Sequence, residues 1–126
     1  MSQQLELWLV RHGETDWNAE RRTQGHSQNE LSALGVKQAQ RLAERLSGET
    51  FDTVYSSDLK RALKTAQIVF PEREIIQDKR LREIGRGALE GTTEAERTSE
   101  QNELLAYIRQ DLMARRPPDG ENFQDV

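Results

Sequence analysis

Residues able to bind and attack a phosphoryl group follow two predicted strands. Arg11, His12 and Gly13 come directly after the apolar run at residues 5–10, and Arg61 lies shortly after a second predicted strand at residues 51–55. In an open parallel sheet, ligands bind beyond the carboxyl ends of the strands. Guanidinium groups bind phosphate oxygens in a bidentate manner, and a neutral imidazole is a nucleophile for phosphorus. These residue types therefore indicate a phosphoryl-binding site.

The elements that must position this site alternate between strand and helix. The near-continuous apolar run at residues 5–10 predicts a strand buried on both faces. Helical spacing predicts a helix at residues 32–47 with Ser32 as its N-cap, and another at residues 59–70 that Pro71 ends. The predicted buried faces are Val36, Ala39, Leu42, Ala43 and Leu46 in the first helix, and Leu59, Ala62, Leu63, Ala66 and Val69 in the second.

Further elements are predicted around and after this second helix. Ser56, Ser57 and Asp58 are residue types that cap a helix start, and residues 74–77 read as a third short strand. The polar stretch at residues 92–102 has no apolar stripe, whereas residues 104–115 regain helical spacing before Pro117. Strands that alternate with helices favour right-handed βαβ units and a mainly parallel sheet, which is an α/β fold.

Composition restricts the class of protein. The 126 residues include 34% hydrophobic residues, no Cys and three Pro, which excludes collagen and a disulfide framework and favours a single domain over residues 1–126. No apolar run approaches the roughly 18 residues of a membrane span. The net charge of −4 offers no bulk attraction to nucleic acid or to an anionic membrane. Residues 1–6 carry no secretory signal pattern, so the cytoplasm is the predicted location.

The motifs themselves resemble those of a known family. The segment LVRHGETDWN at residues 9–18 resembles the signature of the histidine phosphatase superfamily, the phosphoglycerate mutase-like proteins. The match continues in family order through RTQG at 22–25, LSALG at 31–35, SSDLKRA at 56–62 and LREIGRGALEG at 81–91. The resemblance thus covers nearly all of residues 5–91, and it implies a three-layer α/β/α sandwich with a mainly parallel sheet.

The resemblance also implies a role for each matching residue. His12 becomes the phosphohistidine, and Glu83 is the proton donor for the leaving group, a type of catalysis that typically contributes about 10² to 10⁴-fold. Arg11 and Arg61 clamp the phosphoryl oxygens and supply the positive charge that Mg²⁺ provides elsewhere, so neither a metal nor another cofactor is implied. The pocket is completed by Asn18, Gln24 and Gly25.

The chain departs from the family pattern in its histidines and at residues 28 and 30. The family uses a second histidine from a later strand end, but this chain has only His12 and His26. His26 does not match by order or context and is assigned no role; as a metal pair with His12 it lacks the spacing. Gln28 and Glu30 replace the Asp and Pro of many relatives. We therefore expect residues 1–126 to be the N-terminal part of a longer domain, whose remainder supplies the second histidine and a strand beside residues 5–10.

The leading hypothesis is a histidine-type phosphomonoesterase that acts on a small phosphorylated metabolite, such as a sugar phosphate or α-ribazole phosphate. The alternative within the family is a cofactor-dependent phosphoglycerate mutase. Gln24 before Gly25 favours the phosphatase, because that pair is more typical of the phosphatases among the relatives. A phosphate-binding module with impaired catalysis is the alternative from another class. A homodimer is the candidate assembly.

Overall fold

The computed structural model describes residues 3–126. Within that range a short helix precedes two packed helices, a two-stranded sheet and a fourth helix. The helices are α1 Asp16–Ala19, α2 Ala33–Leu46, α3 Lys60–Val69 and α4 Ser99–Arg109, the strands are β1 Tyr55–Ser56 and β2 Ile76–Gln77, and 3-10 helices cover Lys79–Leu81 and Gly87–Leu89.

The two strands form a parallel pair connected through α3. Tyr55 is in register with Ile76, and Ser56 with Gln77. The backbone N–H of Ile76 donates to the carbonyl of Val54 at 2.9 Å, which extends the pairing by one residue. The predicted strand at residues 74–77 is thus found in shorter form, and the strand predicted at 51–55 lies at Tyr55–Ser56 instead. The predicted parallel arrangement is confirmed for this pair.

The strand predicted at residues 5–10 is absent, so that prediction was wrong for the described part of the chain. None of these residues makes a backbone hydrogen bond to another residue within 3–126. Leu5 is 83% exposed and Leu9 93% exposed, instead of buried on both faces. The ring of Trp8 packs edge-on against Phe51, with the two ring centroids 5.3 Å apart. An apolar run becomes a strand only when a neighbouring strand accepts its hydrogen bonds, and no described segment does so.

Helices α2 and α3 pack together to form the core. Ser32 caps α2 as predicted, since its hydroxyl accepts from the Gly35 N–H at 3.1 Å. Ala39 and Leu46 of α2 meet Val69 of α3 at the centre of the buried cluster. Around them pack the half-buried side chains of Leu42, Phe51, Ile68 and Phe70.

The start of α3 and its buried face differ from expectation. Leu59 occupies the N-cap position without a side-chain hydrogen bond, and Asp58 pairs with Arg82 instead. The buried positions of this helix are Arg61, Thr65 and Val69, whereas the predicted Ala62, Leu63 and Ala66 are only half-buried. Hydrophobicity alone could not place Arg61 and Thr65 inside, because both are buried through hydrogen bonds to distant backbone groups.

Helix α4 begins earlier and ends earlier than its apolar spacing predicted. Thr98 and Gln101 form a reciprocal capping box that starts the helix at Ser99, inside the polar stretch. Its one buried residue, Ile108, faces a small cavity shared with Ile84 and Leu89. Across residues 3–126, no helix has both the length and the apolar character needed to cross a membrane.

Candidate active site

His12 is oriented by the carbonyl of the next residue. Its Nδ1 lies 2.7 Å from the Gly13 oxygen. Because a carbonyl oxygen only accepts, Nδ1 carries the proton and donates it, and Nε2 keeps its lone pair. The side chain is half-buried. The imidazole is therefore held in the tautomer that a nucleophile attacking through Nε2 requires.

The loop that carries His12 is attached to both packed helices. The Gly13 N–H donates to the hydroxyl of Thr65 at 3.0 Å, and that hydroxyl donates to the Arg61 carbonyl at 2.7 Å. A Cβ on Gly13 would lie 2.5 Å from the Gly35 carbonyl oxygen, so the loop contacts the first turn of α2 without room for a side chain. Thr65 is 4% exposed. Backbone contacts therefore set the position of the imidazole relative to α2 and α3.

Arg61 is buried in the first turn of α3, with 2% of its surface exposed. Its Nη1 donates to the Ser27 carbonyl at 2.8 Å and its Nη2 to the Gly25 carbonyl at 2.6 Å. Burial lowers the pKa of Arg61, while the charges of Glu83 and Glu90 raise it. The guanidinium is thus fixed against the loop that contains Gly25 and Ser27, which we call the Gly25 loop.

Gly25 needs the conformational freedom of glycine. It has a φ of +64°, and a Cβ there would lie 2.3 Å from a carboxylate oxygen of Glu90. The same oxygen accepts from the backbone N–H of His26 at 2.8 Å and of Arg86 at 3.1 Å. Glu90 therefore joins the Gly25 loop to the segment that follows Glu83, a connection that sequence reasoning missed.

Asn18 and Gln24 are brought together by a residue that the sequence analysis did not single out. Thr15 is fully buried, and its hydroxyl donates to Gln24 Oε1 at 2.7 Å. Its backbone N–H donates to Asn18 Oδ1 at 3.0 Å. Since both amide oxygens face Thr15, both NH₂ groups are left to donate to a ligand. The capping-box spacing from Thr15 to Asn18 was a signal that could have identified this residue.

Glu83 lies on the exposed side of the site. Its Oε1 accepts from the Ile84 N–H at 3.0 Å and lies 3.8 Å from the Arg86 guanidinium. Its charge acts on both His12 and Arg61. Glu83 is thus within electrostatic reach of both groups, with no direct hydrogen bond to either one in the described structure.

The electrostatic balance at His12 favours the neutral ring. Burial lowers the pKa of His12 below its usual 6.5, and the charges of Arg61 and Arg11 lower it further. The Gly13 carbonyl and Glu83 act in the opposite direction but do not reverse the shift. A neutral imidazole near pH 7 suits nucleophilic attack.

Arg11 lines a cavity to which Asn18, Gln24 and Arg61 do not contribute. It is exposed, and together with His12 and Thr65 it lines a cavity of about 250 Å³ beside α2. None of Asn18, Gln24 or Arg61 lines that cavity. The structure thus brings His12, Arg61 and Glu83 into one electrostatic group, whereas Arg11 joins it through its charge on His12 and through the cavity that both residues line.

The family profile and the sequence relatives that match this chain point to the same family. The profile of the histidine phosphatase superfamily, branch 1, matches residues 7–126. Phosphoglycerate mutase-like protein 4 of Arabidopsis thaliana is 53% identical over 90 residues, covering 68% of this chain and 39% of that protein. The probable phosphoglycerate mutase GpmB of Proteus mirabilis is 38% identical over 124 residues, covering 97% of this chain and 58% of that protein. The chain therefore spans less than two thirds of these relatives.

Solved structures agree with the sequence relatives. The α-ribazole phosphatase of Shigella flexneri superposes with a TM-score of 0.84 at 32% identity, over 92% of this chain and 58% of that one. A mycobacterial glucosyl-3-phosphoglycerate phosphatase in complex with VO3 superposes with a TM-score of 0.78 at 35% identity, over 90% and 57% of the two chains. The α/β fold predicted from the sequence is thereby confirmed.

Proposed function

Because the chain belongs to the histidine phosphatase superfamily, branch 1, we propose that it acts as a phosphomonoesterase with His12 as nucleophile and Glu83 as general acid. The observation that carries the proposal is the state of His12: its Nδ1 is engaged by the Gly13 carbonyl at 2.7 Å, and its pKa is lowered chiefly by burial. Together these leave a neutral ring with a free lone pair on Nε2.

In the first step, Nε2 of His12 attacks phosphorus and the ester P–O bond breaks. Glu83 gives its proton to the departing oxygen, which leaves as an alcohol, and the phosphoryl group is now bonded to the histidine. Arg61 and the amide groups of Asn18 and Gln24 would donate to the phosphoryl oxygens, whose charge they stabilise. We assign Arg11 to the same clamp on the strength of the resemblance and of its charge on His12.

In the second step, water attacks the phosphohistidine. The Glu83 carboxylate takes a proton from that water, the P–N bond breaks, and inorganic phosphate leaves with His12 restored. The substrate class is a small phosphorylated metabolite. The names of the matched structures, α-ribazole phosphatase and glucosyl-3-phosphoglycerate phosphatase, support a sugar-phosphate type of substrate.

Turnover of p-nitrophenyl phosphate tests the nucleophile. We expect an acid-labile phosphoryl adduct on the wild-type protein, and we expect His12→Ala to lose both adduct and turnover. Turnover that survives in His12→Ala would refute the assignment. Phosphate binding without turnover or adduct in the wild type would instead identify a phosphate-binding module.

Leaving-group dependence tests Glu83. We expect Glu83→Gln to lower kcat/KM by about 10² or more for an alkyl phosphate and far less for p-nitrophenyl phosphate, because p-nitrophenolate leaves without a proton. Equal losses on both substrates would argue against a general acid.

A phosphoglycerate mutase is the second candidate, and the mutase names of the two sequence relatives favour it. A mutase would need a bisphosphoglycerate primer and would interconvert the two monophosphoglycerates. Interconversion faster than phosphate release would select this alternative.

We propose further that a second catalytic histidine lies outside residues 1–126. The partial coverage of the relatives supports this, as does the exposure of residues 5–10, whose apolar side chains lack a covering strand. An intact mass of the natural protein close to 14.5 kDa would overturn this proposal.

We also propose a cellular location and an assembly for the enzyme. We expect a cytoplasmic protein and a homodimer, which fractionation of the native cells and light scattering of the purified protein would test.

A further inference from the structure

The segment that carries Glu83 is anchored at both ends by carboxylates from distant parts of the chain. On its N-terminal side, Asp58 accepts two hydrogen bonds from Arg82, at 2.6 Å from Nε and 2.5 Å from Nη2. Both side chains are about one third exposed, at 28% and 33%. A two-point guanidinium–carboxylate contact fixes orientation as well as distance. Asp58 therefore fixes the residue immediately before Glu83.

On the C-terminal side, Glu121 holds Gly85 by a reciprocal pair of hydrogen bonds. Its carboxylate accepts from the Gly85 N–H at 2.8 Å, and its backbone N–H donates to the Gly85 carbonyl at 2.9 Å. Gly85 is buried, and a Cβ on it would lie 3.3 Å from both Glu121 and the His26 ring. This end of the segment is thus enclosed between the Glu121 side chain and the His26 ring.

The turn that carries Glu121 is itself packed against the same segment. The Ala88 N–H donates to the Pro118 carbonyl at 2.9 Å. Gly87 has a φ of +50°, and a Cβ there would lie 2.1 Å from that same carbonyl oxygen. The position of Glu121 relative to Gly85 is therefore set by backbone packing, which a flexible surface carboxylate would lack.

Glu83, in contrast, has only local contacts of its own. Its side chain is 53% exposed, and its hydrogen-bond partner is the adjacent Ile84 N–H. No hydrogen bond or ion pair of Glu83 in the described structure reaches the His12 loop. Its distance from the leaving group must therefore be set by the residues that hold its neighbours.

We propose that Asp58 and Glu121, which we call the carboxylate clamp, are positioning residues that hold Glu83 where it can deliver a proton to the leaving group. The inference rests on the proposed role of Glu83 as general acid. It gives a function to Asp58, whose expected place as a helix cap is taken by Leu59, and to Glu121, which had no assigned role. The Asp58 carboxyl stays ionised, since the hydrogen bonds from Arg82 lower its pKa.

The test compares two leaving groups in the natural full-length protein. Asp58→Ala removes one anchor and Glu121→Leu the other, while Glu121→Gln keeps an oxygen that can accept from the Gly85 N–H and serves as the matched control. We expect Asp58→Ala and Glu121→Leu to lower kcat/KM for glycerol phosphate by about 10-fold or more, which is a part of the roughly 10² to 10⁴-fold that general acid catalysis contributes. For p-nitrophenyl phosphate the expected loss is below about 3-fold. Glu121→Gln should keep the wild-type ratio of the two values.

Several outcomes overturn the proposal. Equal losses on the two substrates would show a general disturbance of the site, and unchanged kcat/KM on both would show that the clamp is dispensable. If Asp58→Ala does not fold, as judged by circular dichroism, Glu121→Leu against Glu121→Gln decides by the same criterion.

A parallel Glu83→Gln series separates this inference from the proposed function. If Glu83→Gln shows no leaving-group dependence, the general acid role fails and the clamp proposal fails with it. If Glu83→Gln shows the dependence and the clamp variants do not, only the clamp proposal fails.

Discussion

Removal of the Thr65 hydroxyl should affect both the stability of the protein and the chemistry of the candidate site. Replacing it in Thr65→Val keeps the size and shape of the side chain but removes the acceptor of the Gly13 N–H and the donor to the Arg61 carbonyl. The Arg61 carbonyl still accepts its backbone hydrogen bond within α3. The group left without a partner is therefore the Gly13 N–H.

The size of the stability change follows from the burial of the Gly13 N–H. Leaving a buried donor without an acceptor costs about 1–3 kcal/mol, and the added methyl group returns less than about 1 kcal/mol. We therefore expect the free energy of unfolding to fall by about 1–2 kcal/mol. With a urea slope of about 1–3 kcal/mol per molar, the midpoint should fall by roughly 0.3–2 M.

The same change should loosen the His12 loop, because the Gly13 N–H of this loop donates to the Thr65 hydroxyl of α3. We expect slower formation of the phosphohistidine. In ¹⁵N NMR spectra we expect a mixture of imidazole tautomers for Thr65→Val and a single Nδ1-protonated tautomer for the wild type. Thr65→Ser is the matched control, since it keeps the hydroxyl and loses a methyl group worth about 0.8 kcal/mol.

The assays are urea unfolding followed by circular dichroism and the rate of adduct formation. The reasoning fails if Thr65→Val is as stable as the wild type and forms the adduct at the wild-type rate. It also fails if Thr65→Ser is as slow as Thr65→Val, because the hydroxyl would then not be the group that matters.

Two further predictions concern His12 and the close contact at Gly35. Because burial lowers the pKa of His12 below 6.5, kcat/KM should rise with pH along a limb whose apparent pKa lies below 6.5, and a limb at or above 6.5 would contradict this. By linkage, the stability that depends on His12 is complete above pH 6.5 and declines as the pH falls through the lowered pKa. Gly35→Ala places a Cβ 2.0 Å from the Glu14 carbonyl oxygen; helix propensity alone would stabilise by about 1 kcal/mol, but overpacking costs about 1–3 kcal/mol. We therefore expect Gly35→Ala to lower the midpoint of thermal unfolding. Gly48→Ala is the control, because a Cβ at Gly48 meets nothing and should not lower the midpoint. A higher midpoint for Gly35→Ala would show that the close approach of Glu14 does not restrict this position.

Local signals in the sequence were enough to predict several elements. The helix at Ala33–Leu46 with Ser32 as its cap, and the short strand at Ile76–Gln77, depend on spacing and capping chemistry within a few residues. The motifs around His12, Arg61 and Glu83 identified the family in the same way, since each is a short run of fixed residue types.

The predictions of buried residues were wrong where burial depends on another part of the chain. The apolar run at residues 5–10 has the composition of a buried strand, yet Leu9 is 93% exposed because no described strand pairs with it. Arg61 and Thr65 have polar side chains and are buried at 2% and 4%. Their partners on the Gly25 and His12 loops lie 36 and 52 residues away, so local spacing carries no record of those contacts.

Residue types and short motifs were enough to predict the chemistry of the candidate site, which combines an imidazole, guanidinium groups, amides and a carboxylate. How these groups are held depends on contacts between separate segments: the Thr65 hydroxyl accepts from the Gly13 N–H next to His12, Thr15 hydrogen-bonds to Asn18 and Gln24, and the carboxylate clamp holds the segment that carries Glu83. Residue type sets which bonds a side chain can make, whereas hydrogen bonds between distant segments exist only once packing has brought their donors and acceptors together.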